Sequence, residues 1–420
     1  MSTYLPRTID HELDERLAVS GAVLLDGPKG CGKTATAAKR AVSTIRFDID
    51  PTARAQVDLN PEILFSQPTP ILFDEWQRVP QIWDHVRRHV DDLRQRGLYI
   101  LTGSSTPTDA RELHSGAGRI STLHMRPMAL AESRHSSGEV SLAALLRGED
   151  QSARLSTMTV PDLIARIVIG GWPNLVNEDE RYARRWLADY LTQIVEIDLP
   201  ALGTTRRAPV RLRRTLASLG RGVGQPVKIT ELATDVGGND GQLPARHTVS
   251  AYLDALDRLR LTENSPSWRP HMRSPTQLRE APVHYFVDPS IGTAALGVTS
   301  KDLLADLGAA GFHFEALVVR DLRIYSQPLD GHVYSWREGR GRLEVDAIVE
   351  TPSAWAAFEV KLTGDQAVID KAAASLLKFA SLVDTSRHGE PAALAVITAI
   401  GGGGKRKDGV HIIPITALGP

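Results

Sequence analysis

The chain has 420 residues, with 49 Lys and Arg against 50 Asp and Glu, and this near-zero balance excludes a protein given over wholly to coating nucleic acid while leaving room for a local basic patch. Its length points to about three domains with more than one hydrophobic core. The single cysteine, Cys31, excludes an internal disulfide and a cysteine zinc cluster; no apolar run approaches a membrane span, and Met1 to Asp14 is polar and acidic, so the expectation is a cytoplasmic protein with no membrane partner.

The apolar run Ala22-Val23-Leu24-Leu25 has the pattern of a strand and leads directly into Gly27-Pro28-Lys29-Gly30-Cys31-Gly32-Lys33-Thr34. This is a complete G-x-x-x-x-G-K-T phosphate-binding loop, in the strand–loop–helix setting that such a loop requires. Glycines reach backbone conformations closed to other residues, so successive N–H groups can turn inward around an anion. Lys33 is then placed to reach the β- and γ-phosphates of a nucleotide, and the Thr34 hydroxyl to hold Mg²⁺. A helix through Ala35 to Arg40 sets its positive end beneath those phosphates. Cys31, inside the loop, has its simplest reading as a small residue at a variable position.

Pro70 to Phe73 is a second short strand, ending in Asp74 and Glu75. Asp74 is the candidate for the magnesium shell and Glu75 for the base that orients and deprotonates the attacking water. Two acids after a strand also cap helices, and it is the company of the loop that favours chemistry. Ile82, Val86 and Val90 then recur at helical spacing. A third strand, Leu98 to Leu101, runs into Thr102-Gly103-Ser104-Ser105, where Ser104 is the candidate γ-phosphate sensor and a simple Ser/Thr turn the alternative. Strands alternating with helices predict an α/β fold for residues 1–155, a P-loop NTPase with a parallel sheet covered by helices on both faces.

Residues 136–160 have the character of loops and one short helix, and a helical connector is expected over 156–205. There Trp186, Tyr190, Ile194 and Ile197 fall on one stripe, the pattern of core packing. Residues 206–274 open with the cations Arg206, Arg207, Arg211, Arg213, Arg214, Arg221 and Lys228. Helical stretches at Ile229–Ala233 and Thr248–Leu259, followed by extended Leu261 to Asn264, predict a winged helix-turn-helix-like domain. Such a domain can place its second helix in a DNA major groove, but Asp254 and Asp257 make that helix acidic, and packing within the chain is equally consistent with the pattern.

The last domain, 275–420, has the order helix, three strands, helix, strand, and resembles the PD-(D/E)xK nuclease core. Asp346 and Glu359-Val360-Lys361 match its acid and E-x-K elements, and Glu315 stands where its helix acid lies. Alternate strand residues share a face, so Glu359 and Lys361 project together. Asp346 and Glu359 form a candidate second metal site, with Lys361 activating water or stabilising charge at a phosphate. Alternating charges are also common on solvated sheet faces, and the basic, glycine-rich Arg337 to Arg342 suits either a phosphate backbone or an exposed hairpin.

Leu25-Asp26-Gly27-Pro28, Gly32-Lys33-Thr34, Phe73-Asp74-Glu75-Trp76-Gln77, Leu101 to Ser105 and Gly118-Arg119 together resemble a bacterial and archaeal AAA-type ATPase family whose members carry a C-terminal domain of unknown function. Gly170-Gly171-Trp172-Pro173, Tyr285 to Asp288 and Glu359 to Lys361 extend the resemblance over nearly the whole chain. It implies ATP and Mg²⁺ as cofactors, and Arg119 as an arginine finger acting through self-association. Three expectations follow: an ATPase or ATP-gated switch acting on DNA or RNA, an ATP-regulated metal-dependent nuclease, and a regulatory adaptor that binds ATP with little turnover.

Overall fold

A computed structural model of the chain describes residues 4–103, 115–202, 208–238, 243–269, 281–338 and 343–420. They form two compact units, Met1–Pro127 with Asp257–Arg260, and Met128–Leu256 with Leu261–Pro420.

The first unit is built on five strands, β1 (Ala22–Asp26), β2 (Ser43–Arg46), β3 (Ile71–Asp74), β4 (Tyr99–Gly103) and β5 (Ile120–His124). All are parallel, in the order β2-β3-β4-β1-β5. The three central strands are near-continuous apolar runs because both faces are covered. Ala22, Phe73, Tyr99 and Leu101 pack on one side with Phe47 and Val86. Val23, Leu25, Leu72 and Ile100 pack on the other with Leu13 of the helix Ile9–Val19. The helix Ile82–Leu93 buries Ile82, Val86 and Val90, as their spacing predicts. Parallel strands bring their carboxyl ends to one edge, with Asp26 opposite Gly103 and Asp74 opposite Thr102. Loops at that edge are where an open α/β sheet holds ligands.

The second unit centres on a six-stranded sheet of β7 (His332–Arg337), β8 (Glu344–Glu350), β9 (Trp355–Lys361), β10 (Ala393–Thr398), β11 (Gly404–Lys405) and β12 (His411–Pro414), in the order β11-β12-β10-β9-β8-β7. β7, β8 and β9 are antiparallel neighbours, while β10 runs parallel to both β9 and β12. Phe314 and Leu317 of the helix Leu307–Ser326 pack with Ala347, Phe358 and Ala395 on one face. Leu376 and Phe379 of the helix Gln366–Leu382 pack with Ile348, Trp355 and Val396 on the other.

Three expectations differ from this packing. Ala129, Leu130, Leu142 and Leu145, expected in the ATPase region to residue 155, share a core with Phe314 and Phe358 of the second unit. What ties them there includes the two-residue strand β6 (Val140–Ser141), paired with β13 (Leu418–Gly419), too short to show a periodicity in sequence. Second, Ile197 is 57% exposed, and the buried positions are Ala183, Leu187, Leu191, Ile194 and Val195. The helix Glu180–Gln193 passes into a π-turn over Ile194–Asp198, whose wider pitch rotates Ile197 off the buried stripe. Third, the helix after the phosphate loop is the six-residue Lys33–Ala38, starting earlier and ending sooner than expected.

In the region 206–274 the helices are Ala208–Arg221, Ile229–Gly237 and Arg246–Arg258, followed by single bridges Thr262 to Phe286 and Ser265 to Val283. Four of its cations are engaged within the chain: Arg213 with Glu196, Arg221 with Asp235, Lys228 with Glu231, and Arg214 with the Val236 and Gly237 carbonyls. Arg206, Arg207 and residues 339–342 lie outside the described residues. Among the described residues no helix is long and apolar enough to cross a membrane.

Candidate functional site

β1 delivers Asp26 and Gly27 to the sheet edge. A Cβ at Gly27 would lie 2.1 Å from the Met125 carbonyl oxygen, so only glycine lets the loop leave the strand at this point. At the loop's far end Gly32 sits in the left-handed region at φ 106°, open to glycine at low cost, and the helix begins with Lys33. Lys33 is buried at 7% exposure, and its Nζ donates to the Gly27 and Pro28 carbonyl oxygens at 2.8 Å each. The ammonium therefore spans the loop from inside.

The next residue, Thr34, donates its hydroxyl to Asp74 Oδ1 at 2.8 Å, which joins the phosphate loop to the end of β3. Thr102 on β4 donates to the same oxygen at 2.6 Å. Two strand ends and the first turn of the helix after the loop thus converge on one buried carboxylate. Glu75 follows in the left-handed region (φ 56°, ψ 43°), and Gln77 Nε2 donates to its Oε2 at 2.5 Å. Arg7 fixes the loop crest by donating to the Cys31 carbonyl at 3.0 Å and the Arg126 carbonyl at 2.8 Å. Cys31 itself is fully buried in the core with Leu13 and Leu25, a packing role. Arg260 donates through Nε to Asp26 Oδ2 at 2.6 Å, immediately before the loop.

Arg119 is not brought to this edge. It precedes β5, whose first residue Ile120 pairs with Ala22 at the amino end of β1, opposite the loop. Its Nε is 2.8 Å from Asp91 Oδ1, and each partner shifts the other's titration toward the charged form by hydrogen bond and charge. Any role for Arg119 at a phosphate belongs to another copy's loop. Ser104 lies outside the described residues, and Thr102, two positions earlier, is the strand-end hydroxyl on Asp74. The sequence pointed to Ser104 within this hydroxyl cluster; parallel register sets Thr102 opposite Asp74.

A second group assembles in the other unit. β8 carries Asp346, and alternation along β9 sends Glu359 and Lys361 to one side. Lys361 Nζ lies 2.7 Å from Glu359 Oε2 and 3.4 Å from Asp346 Oδ2, while the Val360 N–H donates to Asp346 Oδ2 at 2.7 Å. Glu315, on the helix Leu307–Ser326, accepts from the Tyr285 hydroxyl at 2.5 Å. Glu315, Asp346, Lys361 and Tyr285 line a cavity of about 770 Å³. Burial, with the charge of Asp346 adding to it, pushes Glu359 up to about 8 and Glu315 well above the usual carboxylate range. Burial works against the Lys361 ammonium, but Asp346 and Glu359 outweigh it and hold its pKa above the ordinary value. Among the described residues no three His, Cys, Asp or Glu side chains are arranged to hold a metal ion. Of the acids named from the sequence, Asp346 and Glu359 are bridged by Lys361, and Glu315 lines the same cavity as Asp346.

Residues 19–133 match the family model of an AAA domain. Residues 160–302 and 310–418 match two domains of unknown function, DUF8612 and DUF4143. Among curated proteins none matches the chain. Among solved structures the chain is similar to the Walker-type ATPase PABY2304 of Pyrococcus abyssi, at 16% identity and a TM-score of 0.43, over 68% of this chain and 94% of that one. It is also similar to the Thermotoga maritima RuvB Holliday junction branch migration motor (18% identity, TM-score 0.28, 61% of this chain and 89% of that one) and to the Aeropyrum pernix ORC2 protein (11% identity, TM-score 0.30, 61% and 84%). The parallel sheet, the glycine loop at its edge and the AAA-domain match give the first unit an AAA-type P-loop fold.

Proposed function

We propose that this chain, with its AAA-type P-loop ATPase domain, binds ATP with Mg²⁺ at Gly27–Thr34 and hydrolyses it, so that nucleotide state switches the remaining domains. The observation that carries the reading is Asp74 accepting from both Thr34 and Thr102 beside a loop whose Gly27 and Pro28 carbonyls Lys33 holds, all at one sheet edge. Its donors suit the cofactors: Thr34 and Asp74 offer only oxygen, the ligand type a small hard cation takes. Bound there, Mg²⁺ would neutralise phosphate charge. In this reading the backbone N–H groups of the loop grip the phosphates, and Lys33 exchanges its two carbonyl partners for phosphate oxygens. Thr34 and Asp74 keep the ion in place, and Glu75 takes the proton of the attacking water. The test is steady-state turnover of wild type, Lys33→Ala and Glu75→Gln. Loss in both variants is expected; activity equal to wild type in Lys33→Ala would reject the site. Nucleotide retained with no kinetic effect of Glu75→Gln would instead identify an adaptor that binds ATP without appreciable turnover.

A second reading is favoured by Glu315, Asp346 and Lys361 lining one cavity, with Glu359 ion-paired to Lys361. It makes the last domain a metal-dependent nuclease regulated by ATP, with DNA or RNA as substrate. The two carboxylates bridged by Lys361 suit a hard divalent ion that keeps most of its waters. Asp346 and Glu359 would hold it, and Lys361 would stabilise charge at the scissile phosphate. Incubation with Mg²⁺ or Mn²⁺ and labelled DNA and RNA tests it. Cleavage should vanish in Asp346→Ala and Lys361→Ala; absence of cleavage, or cleavage indifferent to both changes, rejects it.

A further inference from the structure

We propose that Gln77 holds the attacking water together with Glu75, an inference that rests on the ATP-hydrolysis reading above. Glu75 is one of few non-glycine residues at positive φ, and this turn sends the chain straight into the short helix Trp76–Arg78. The result folds the Gln77 side chain back onto its neighbour, Nε2 to Glu75 Oε2 at 2.5 Å. A carboxylate offers no proton here, so the amide must present its nitrogen to Glu75 and turn its oxygen away. That oxygen, Oε1, is buried and has no hydrogen-bond partner among the described residues.

Buried carbonyls of native proteins are almost always satisfied by protein, ordered water or ligand, so an orphaned one beside a reaction centre is left for a partner that the described residues do not supply. Its position supports this. A Cβ on Gly103 would come within 2.3 Å of Gln77 Oε1 and 3.0 Å of Trp76 Nε1, so glycine at the end of β4 is what admits the amide. One residue earlier on the same strand, Thr102 binds Asp74, the carboxylate tied to Thr34 of the phosphate loop. The unpaired oxygen thus belongs to the edge where the γ-phosphate would lie.

A water that attacks phosphorus has two protons and one lone pair to direct. Glu75 takes one proton as the O–H bond breaks; Gln77 Oε1 accepts a hydrogen bond from the other O–H and so aims the lone pair. The new P–O bond forms as the bond from the γ-phosphorus to the bridging oxygen breaks, and ADP leaves with that electron pair. The sum is ATP and water giving ADP, phosphate and the proton on Glu75. The hydrogen bond from Nε2 also holds Glu75 in one orientation, so the pair acts as a unit.

The test compares wild type with Gln77→Ala and Gln77→Glu, using ATP binding by calorimetry, kcat and KM for ATP, the pH dependence of kcat, and melting temperature as a fold control. Gln77→Ala should lower kcat by about 100-fold, the lower end of the range for losing acid–base assistance, while Kd and KM stay within about twofold. Gln77→Glu keeps the shape but sets a like charge against Glu75, and should move the acid limb of kcat upward by about one pH unit. A residue that merely braced the turn would move neither the limb nor the split between kcat and KM. Unchanged kcat and pH profile in both variants overturn the proposal, as does a loss confined to ATP affinity. Wild-type protein that binds ATP without turning it over overturns it too and leaves ATP binding standing; no ATP binding at all removes the underlying reading with it.

Discussion

Arg320 offers the sharpest physical test of how the second unit is held together. Its guanidinium is 2% exposed and lies between two carboxylates that are fully buried, 2.8 Å from Asp288 Oδ2 and 2.7 Å from Asp321 Oδ1. Asp288 also accepts from the Gly171 N–H at 2.9 Å, and Asp321 from the Leu130 N–H at 3.0 Å. The cation therefore locks the Gly170-Gly171-Trp172 turn and the segment at Leu130 to the helix Leu307–Ser326. Arg320→Met keeps most of the bulk and removes the charge, leaving two buried carboxylates uncompensated; breaking a buried pair in this way costs about 3–5 kcal/mol. At roughly 2–4 °C per kcal/mol for a unit of this size class, the melting temperature should fall by about 10 °C. Burial already pushes Asp321 above the usual carboxylate range despite Arg320. With the cation gone it climbs further, so the folded state binds more protons than the unfolded one above the ordinary carboxylate pKa, and the variant loses stability as pH rises. Urea unfolding at pH 5 and pH 7.5 should therefore show a larger deficit at the higher pH, and Asp288→Asn with Asp321→Asn should recover most of it. A deficit below about 1 kcal/mol, or one indifferent to pH, refutes the reasoning.

Thr102→Val keeps the shape and removes the hydroxyl that donates to Asp74 Oδ1, costing about 1.5–3 kcal/mol because the acceptor is charged and buried. A double-mutant cycle with Asp74→Asn should show strong coupling; additive effects would contradict the shared bond. Gly27→Ala drives a methyl to 2.1 Å from the Met125 carbonyl oxygen, so ATP binding should disappear while far-ultraviolet circular dichroism stays near wild type; retained binding would show that the loop can yield. In the second unit, Mn²⁺ binding should strengthen as pH rises toward 8, because Glu359 must give up the proton that burial leaves on it up to about that pH. Calorimetry in buffers of different ionisation enthalpy should record proton release that Glu359→Gln abolishes; pH-independent binding would place the ion elsewhere.

What the sequence made legible follows from how local each signal is. The loop Gly27–Thr34 and the acids Asp74 and Glu75 are contiguous motifs on strand ends, and the fold carries them to one edge without help from distant residues. Glu359 and Lys361 share a face by alternation alone, and Asp346 meets them because β8 and β9 are neighbours. Arg260, Tyr285 and Gln77 were not legible as parts of a site. Arg260 reaches Asp26 across a long stretch of chain, and Tyr285 meets Glu315 only when a loop packs on a helix. Gln77 stood in plain view within Phe73 to Gln77, but its contact depends on the left-handed turn at Glu75, which no pattern announces. Arg119 is a different case: Gly118-Arg119 fits a motif, and parallel pairing sets it at the end of the sheet away from its own phosphate loop, a place that bears only on a finger acting through self-association.

The most direct measurement is isothermal titration of MgATP into folded wild-type protein and into Lys33→Ala. The account predicts one site per chain for the wild type and at least tenfold weaker binding for the variant, whose loop carbonyls at Gly27 and Pro28 lose their ammonium. Wild-type protein that releases no heat at millimolar ATP, or a variant that binds as tightly as wild type, would contradict it.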